Sequence, residues 1–535
     1  MPEPWLPADH GTEQEGLRRK VAHGLTWTFI HTWGGQGLSL LVFLVLARLL
    51  TPSQFGLVAL AAVFVALAQL VIDQGFGDAI IQRPTVTRGH IDTAFWVAVA
   101  TGTLLAIIGV LAAGPLSVLL DEPRLTPILQ VLSLLFIVSS LGSTQQALLR
   151  RELAFRSLAT RGLLALAGGG AVGIVMAFLN FGAWALVGQQ IAAALIGVVT
   201  LWTISPWRPG LEVSRQNFVE LFNFGIKVVG SDVLTFLSRN TDNLLIGVFL
   251  GSRLLGIYAV AYRILDTSQK VLVSVSRRLA FPALSKLQGD PERMKRAYLK
   301  LTRIAGSAIL PGYVGLALVA PEMTVFLFGF KWQDAGPVAS ILFLIGPVLS
   351  MQAFSTSLLT AAGYPDVVFR FRLITTVTNV VGFIIAVQFG KDILWVAVAY
   401  SVRGYLLLPL NLSWQNRYGG INTREYLAQL KGTILATLAM TAAVLGIKFG
   451  LGSRVGNSML LLLEVVTAAI VFVAVMWIAN RTLLYEMLRV GRQSIPGINR
   501  LGRLFTSRRR AAAASREPAA EAKADALSPS TRGEE

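Results

Sequence analysis

Seven charged residues interrupt an otherwise apolar stretch between residues 227 and 270. They are Lys227, Asp232, Arg239, Asp242, Arg263, Asp266 and Lys270. A charged side chain at bilayer depth costs about 3 kcal/mol or more, so it normally faces a bundle interior or a water-filled cavity. Arginine can bind phosphate or carboxylate groups there through paired hydrogen bonds, and lysine acts as a point charge. The stretch therefore predicts a polar interior inside a membrane protein.

The composition of the whole chain agrees with a membrane location. Of 535 residues, 54% are hydrophobic and 14% are charged, whereas a soluble domain is about a quarter charged. Long apolar runs recur between residues 21 and 479 and are too long for strands, so we predict an all-α polytopic membrane protein with about fourteen transmembrane helices. Cysteine is absent and the four histidines are scattered. These features predict no metal site.

Polar segments divide the chain into seven parts. We predict a cytoplasmic N-terminus (1–20), a first lobe of six helices (21–204), a cytoplasmic linker (205–217), a second lobe of six helices (218–411), a second cytoplasmic linker (412–429), an appended helix pair (430–479) and a basic cytoplasmic tail of disordered composition (480–535). The predicted outer loops are all short. This disfavours a membrane-embedded polysaccharide enzyme with catalytic carboxylates in a large outer loop.

The basic residues predict the orientation. Of 47 Lys and Arg residues, we count 35 in or beside segments predicted to be cytoplasmic, 7 in outer loops and 5 within spans. Cytoplasmic loops carry such an excess, so both termini are predicted to be cytoplasmic. The net charge of +18 then reflects this orientation signal, and the basic residues are expected to contact anionic lipid head groups. Nucleic acid is not a predicted partner.

The two halves of the chain are related by an internal repeat. The segment 46–60 (LARLLTPSQFGLVAL) resembles 246–260 (IGVFLGSRLLGIYAV), each an apolar helix end, a polar turn and a glycine that opens the next helix. Matches at an offset of 200 pair Phe55 with Leu255, Gly56 with Gly256, and Gln69 with Gln269. An even number of helices per unit makes the repeats parallel, and transporters of this build bind substrate between two lobes.

Charges of opposite sign lie at matching depths on the two helices that flank the turn near Ser252. The pairs are Asp242 with Arg263, Arg239 with Asp266, and Asp232 with Lys270. Two interpretations stay open. The charged residues form ion pairs with one another between the helices, or they face a cargo in the cavity. At the 200-residue offset the first half carries only neutral residues, which predicts that charge is concentrated on the second-lobe wall.

The candidate site residues follow from these positions. The predicted cavity cations are Lys227, Arg239, Arg263, Lys270 and Arg403, the last from helix 12. The predicted acidic partners or ion-coupling groups are Asp232, Asp242, Asp266 and Asp73. No catalytic residue is predicted, and no nucleotide-binding motif is found.

The segments 47–56 (ARLLTPSQFG) and 242–258 (DNLLIGVFLGSRLLGIY), with the arrangement of six, six and two helices, resemble the polysaccharide-exporting, Wzx-type flippase branch of the multidrug/oligosaccharidyl-lipid/polysaccharide superfamily. The resemblance covers roughly residues 17–480. It implies two lobes around a central, often cationic cavity. It also implies an inner-membrane flippase that moves an undecaprenyl-diphosphate-linked repeat unit from the cytoplasmic to the periplasmic leaflet.

Two other functions stay open at this point, an ion-coupled small-molecule antiporter of the other branch of the superfamily and a peptidoglycan lipid-precursor flippase. Five basic groups in the interior disfavour an antiporter of cationic drugs. No cofactor is predicted, and the coupling ion, H⁺ or Na⁺, is left undetermined. The implied partners are the lipid-linked glycan, membrane lipids, and a polysaccharide polymerase with chain-length or export proteins.

Overall fold

The computed structural model describes the backbone of residues 33–73, 77–83, 86–452, 454–481, 483 and 486. All regular structure in these residues is helical. The first half contains α1 (Trp33–Leu49), α2 (Pro52–Asp73), α3 (Gly77–Gln82), α4 (Arg88–Leu119), α5 (Leu125–Arg151), α6 (Phe155–Phe178) and α7 (Ala183–Ile204). We refer to α1–α7 as the first lobe.

The second half begins with a helix of 58 residues and continues through shorter ones. Its helices are α8 (Arg215–Leu272), α9 (Ser274–Ser285), α10 (Pro291–Phe328), α11 (Ala335–Leu344), α12 (Gly346–Ala361), α13 (Pro365–Ile385), α14 (Ile393–Leu406), α15 (Leu408–Gly419), α16 (Thr423–Leu451) and α17 (Asn457–Ala479). We refer to α8–α15 as the second lobe and to α16 and α17 as the appended pair.

Helix α8 is folded back at Gly251, whose φ of 83° and ψ of 171° are not helical. A side chain would be strained at this φ, and glycine adopts it without a Cβ clash. The turn divides α8 into a first arm (215–250) and a second arm (252–272). The predicted antiparallel helices therefore lie side by side, with the charged residues on both.

Twelve helical stretches in the described residues are long and apolar enough to cross a membrane, and α1 is a shorter apolar helix of the same kind. One of the twelve, Asn240–Leu272, contains the Gly251 turn and thus parts of both arms. The pattern is compatible with the predicted fourteen helices. The predicted fold class, an all-α polytopic membrane protein, is confirmed.

The two lobes meet at one end of the bundle, which we call the hairpin end because it contains the Gly251 turn. A Cβ added to Gly56 would lie only 1.6 Å from the carbonyl oxygen of Ser252, and one added to Gly256 only 1.9 Å from that of Pro52. The contact is reciprocal at the 200-residue offset, as expected for two repeats related by a rotation axis between them.

Hydrogen bonds reinforce the contact at the hairpin end. The Ser252 hydroxyl donates to Glu122 of the first lobe at 2.8 Å. From the other side, the Trp332 indole donates to the carbonyl oxygen of Ala47 at 2.7 Å, and the Lys331 ammonium donates to that of Arg48 at 2.8 Å. The lobes are therefore closed against each other at this end.

The opposite end contains the linker between α7 and α8, and we call it the linker end. The linker packs along α4, where Trp96 donates to the carbonyl oxygen of Gly210 at 2.7 Å and the Ser214 backbone donates to the Thr93 hydroxyl at 3.2 Å. Beyond the linker, Glu220 of α8 forms an ion pair with Arg83 of the first lobe. The same carboxylate lies 3.4 Å from Nε2 of His90 in α4, so Glu220 contacts two first-lobe side chains beside the start of α8.

Candidate functional site

The second lobe encloses a cavity of ≈ 520 Å³ between the two arms of α8 and helices α12, α13 and α14. Its wall is mostly polar although it lies within apolar helices. The lining residues are Asn240, Asn243, Ala259, Tyr262, Arg263, Asp266, Gln269, Leu349, Gln352, Thr375, Asn379, Tyr400 and Arg403. The α8 turn places both arms beside this space, so residues that are remote in sequence meet there.

Three charged residues line the cavity. Arg263 donates from Nη2 to the hydroxyl of Ser39 in α1 at 2.9 Å, so the cavity borders the first lobe. Asp266 forms an ion pair with Lys270, one helical turn further along, with 2.6 Å between Nζ and Oδ2. Arg403 completes the set. Two positive charges and one negative charge on the lining agree with a mixed-charge, mildly cationic cavity.

Arg403 is the most deeply buried of these cations. Only 6% of its surface is exposed, and its Nε and Nη1 atoms have no hydrogen-bond partner in the described chain. Its guanidinium carbon lies 5.0 Å from the centre of the Tyr400 ring. A guanidinium stays charged in proteins, and its burial is costly unless hydrogen-bonded groups compensate it. The structure therefore places on the cavity wall a cation that has unused hydrogen-bond donors at Nε and Nη1.

Four neutral side chains of the same wall also bury polar atoms without hydrogen-bond partners among the described residues. The atoms are Asn243 Oδ1, Gln352 Nε2, Thr375 Oγ1 and Asn379 Oδ1. Buried polar atoms are nearly always hydrogen-bonded to protein or water. Their concentration around one cavity indicates that water or a bound polar molecule supplies the partners.

Sequence reasoning missed these amide and hydroxyl groups, because a neutral side chain costs much less at bilayer depth than a charge does. Their spacing carried a usable signal. Asn240 and Asn243 are three residues apart in α8, and Thr375 and Asn379 are four apart in α13, so each pair shares one helix face. A search for such polar pairs in apolar helices would have found the wall.

Asp242 does not take the predicted partner. Its carboxylate accepts hydrogen bonds from the Tyr258 hydroxyl at 2.8 Å and from the Asn243 backbone at 2.8 Å, and Asp242 is 4% exposed. The predicted pairing with Arg263 is therefore wrong. Equal depth did not bring the two charges together, because a tyrosine hydroxyl lies nearer to the carboxylate.

Asp266 forms an ion pair with Lys270 on its own helix, and its predicted pairing with Arg239 stays a prediction because the Arg239 side chain lies outside the described part. Residues four apart on a helix face each other, and depth counting across the turn did not consider this pair. The remaining candidates, Lys227, Asp232, Arg239 and Asp73, have side chains outside the part that the structure describes, and their roles stay predictions.

The first lobe contains a smaller cavity of ≈ 290 Å³ that includes Gln69, Gln146, Arg150 and Arg161 in its lining. Gln69 and Gln269, matched at the repeat offset, therefore line corresponding cavities in the two lobes. The prediction that charge is concentrated on the second-lobe wall did not include the two arginines of this first-lobe cavity. Sequence reasoning assigned Arg150 and Arg161 to the cytoplasmic surface, although Arg161 lies six residues inside α6.

A two-lobed helical bundle with a polar cavity has counterparts among known proteins. A family model described as polysaccharide biosynthesis protein matches residues 45–337, more than half of the chain. The chain belongs to this family. Its predicted place in the polysaccharide branch of the multidrug/oligosaccharidyl-lipid/polysaccharide superfamily is confirmed, and with it the prediction of a flippase rather than an enzyme.

Individual members are similar over most of their length. The lipopolysaccharide biosynthesis protein WzxC of Escherichia coli (strain K12) is 28% identical over 70% of this chain and 77% of its own. The succinoglycan biosynthesis transport protein ExoT of Rhizobium meliloti (strain 1021) is 26% identical over 89% of this chain and 97% of its own.

A solved structure shares the fold at lower sequence identity. The lipid II flippase MurJ, in an inward closed conformation, superimposes with a TM-score of 0.70 at 13% identity, over 86% of this chain and 100% of its own. This similarity concerns the fold alone.

Proposed function

We propose that the protein moves an undecaprenyl-diphosphate-linked glycan repeat unit from the cytoplasmic to the periplasmic leaflet of the inner membrane. Both termini and the linker end would face the cytoplasm, in agreement with the distribution of basic residues. The two related proteins named for lipopolysaccharide and succinoglycan biosynthesis support a glycan cargo.

The observation that carries the proposal is the set of six buried polar atoms without partners around the second-lobe cavity. Four belong to amides or a hydroxyl, which suit sugar hydroxyl groups, and two belong to the Arg403 guanidinium. Arginine binds phosphate through paired, charge-assisted hydrogen bonds. The cavity thus offers groups for both polar parts of a lipid-linked glycan, which must cross about 30 Å of hydrocarbon.

The contacts between the lobes support alternating access. The hairpin end is closed by the packing of Gly56 on Gly256 and by the hydrogen bond from Ser252 to Glu122. At the linker end, the Arg83–Glu220 ion pair is partly exposed, with about a third of each side chain accessible. Exposed ion pairs contribute about 0–1 kcal/mol, so the contacts of Glu220 with Arg83 and His90 would oppose opening of this end only weakly. Cargo would load from the linker end, and rocking of the lobes would then open the hairpin end.

The proposed cycle requires no nucleotide or other cofactor. A gradient of H⁺ or Na⁺ would provide the energy, membrane lipids would surround the cargo's apolar tail, and a polymerase with chain-length or export proteins would receive the glycan. Each of these partners is part of the proposal.

Deletion of the gene tests the function directly. We expect loss of one surface polysaccharide, with its lipid-linked repeat units retained on the cytoplasmic leaflet, where a membrane-impermeant glycan-modifying reagent added outside the cell does not reach them. Normal polysaccharide output together with altered drug sensitivity would instead favour a small-molecule antiporter and overturn the proposal.

Substitution of Arg403 tests the site. A hydrogen bond to a charged group contributes about 1.5–3 kcal/mol, so Arg403→Gln should lower export by about tenfold or more, while Arg403→Lys keeps the charge and retains part of the activity. Arg417→Gln is the matched control, because Arg417 is exposed outside the cavity. Equal export by both glutamine variants at equal protein level would exclude Arg403 from cargo binding.

A further inference from the structure

A second cluster of charged residues lies away from the cavity, where the appended pair packs against α10. Its members are Glu322 on α10, Lys448 on α16 and Glu464 on α17. All three lie towards the hairpin end. None of them lines the cavity of either lobe.

The cluster is unequally paired. The Lys448 ammonium lies 2.9 Å and 3.0 Å from the two carboxylate oxygens of Glu322 and donates to the Leu318 carbonyl oxygen at 3.0 Å. Its distance to Glu464 Oε1 is 3.9 Å, too long for a hydrogen bond. The ammonium is therefore committed to Glu322.

Glu464 is fully buried, with 0% of its surface exposed, and neither carboxylate oxygen has a hydrogen-bond partner in the described chain. With both glutamates ionised the cluster would carry one negative charge in excess. An uncompensated charge buried in an apolar interior is so costly that the group changes its protonation state instead. Glu464 is the group that must be neutralised, because Glu322 already has its cation.

We propose that Glu464 is a proton-binding site of the appended helix pair. One proton from the solution at the hairpin end adds to a carboxylate oxygen of Glu464, an O–H bond forms, and the cluster charge changes from minus one to zero. Lys448 connects the site to solution, because its side chain is 28% exposed. Protonation removes a buried charge from the contact of α17 with α10 and α16 and so favours the packed arrangement.

The charged surroundings of Glu464 are simple enough to make the site testable. Helices α10 and α16 pack against α17, and they contribute Glu322 and Lys448. Helix α17 itself contains no other charged residue. Among the described residues, the protonation state of Glu464 therefore depends on one neighbouring anion and one neighbouring cation.

Infrared spectra of the purified full-length protein at neutral pH measure protonated carboxyl groups by their C=O stretch. Glu464→Gln should remove one such group per chain. Glu322→Gln should also remove one, because Lys448 then becomes the partner of an ionised Glu464. Lys448→Met should add one, because both glutamates then lack a cation. Glu122→Gln is the control and should change nothing, because Glu122 already pairs with Arg124.

An unchanged carboxyl band in both glutamine variants would overturn the proposal, because it would mean that Glu464 is ionised beside Lys448. A band that appears in the unmodified protein only when Na⁺ is replaced by choline would also overturn it, because Na⁺ would then occupy the site. The readout needs no transport assay, so the inference stands or fails independently of the proposed cargo. Lys448→Met is expected to increase the carboxyl band instead of decreasing it. This variant therefore distinguishes a change in protonation from a loss of the band caused by misfolding.

Discussion

Gly56 of α2 and Gly256 of α8 pack backbone against backbone, and each lies against the carbonyl group of the residue four positions before the other. Small residues allow transmembrane helices this close approach. Because the two glycines are matched by the internal repeat, the same local sequence provides both halves of the contact. The contact closes the hairpin end of the bundle.

A side chain at either glycine should hold the hairpin end open. A Cβ at Gly56 or Gly256 would lie within 2 Å of a backbone oxygen, which a rotamer change cannot relieve. We expect Gly56→Val and Gly256→Val to reduce export at least tenfold, with accessibility of the hairpin end to a membrane-impermeant probe increased. Gly114→Val is the control, because no atom lies within 4 Å of its Cβ position. Equal export by all three variants would contradict a role in closure.

Covalent closure of the same end should stop the cycle. The chain contains no cysteine, so the double variant Glu122→Cys with Ser252→Cys can be cross-linked selectively across the lobes. We expect cross-linking with a reducible reagent to abolish export, and reductive cleavage of the cross-link to restore it. The control pair is Arg253→Cys with Asp334→Cys, two positions within the second lobe whose native side chains meet, with 3.5 Å between Arg253 Nη2 and Asp334 Oδ2. Its cross-linking should leave export intact. Export by the first pair in the cross-linked form would argue against rocking of the lobes.

The hydrogen bond from Tyr258 to Asp242 joins the two arms of α8 across the Gly251 turn. Removal of the hydroxyl leaves a buried carboxylate short of a partner, which costs about 1–3 kcal/mol. Tyr258→Phe should therefore lower the midpoint of thermal unfolding in detergent, and addition of Asp242→Asn should recover part of the loss. Tyr364→Phe, at a tyrosine that is 42% exposed, should change nothing. No difference between the two phenylalanine variants would show that the hydrogen bond does not stabilise the hairpin.

The ion pair between Asp266 and Lys270 should contribute little to stability. Its side chains are 33% and 46% exposed, and pairs four residues apart on a helix contribute about 0.3–0.5 kcal/mol. A double-mutant cycle with Asp266→Asn and Lys270→Gln should give a coupling energy in this range. Export should fall more in Asp266→Asn than in Lys270→Gln, because only Asp266 lines the cavity. A larger loss in the lysine variant would reverse this assignment.

Arg263 and Arg403 could be placed in the cavity from the sequence because charge at bilayer depth is costly and has to face a polar space. The argument needs only the position of a residue along a helix. The reciprocal contact of Gly56 with Gly256 could be expected for the same kind of reason, because it depends on a repeat that is visible in the residues themselves.

The partners of individual charges could not be predicted in this way. Depth along two antiparallel helices does not fix the direction in which each side chain points, so Tyr258 replaced Arg263 as the partner of Asp242. Arg161 was missed for a related reason. A basic residue near a helix end can reach the membrane surface or turn inward, and the structure shows that it turns towards the first-lobe cavity.

The linker along α4 bears on how the protein is assembled. Trp96 and Thr93 hold residues 210 and 214 by hydrogen bonds before α8 begins. The N-terminal half of a chain leaves the ribosome first, so this surface of α4 exists before the second half is made. It is therefore available to bind the linker, and so to fix the starting point of α8, while the second lobe is being made.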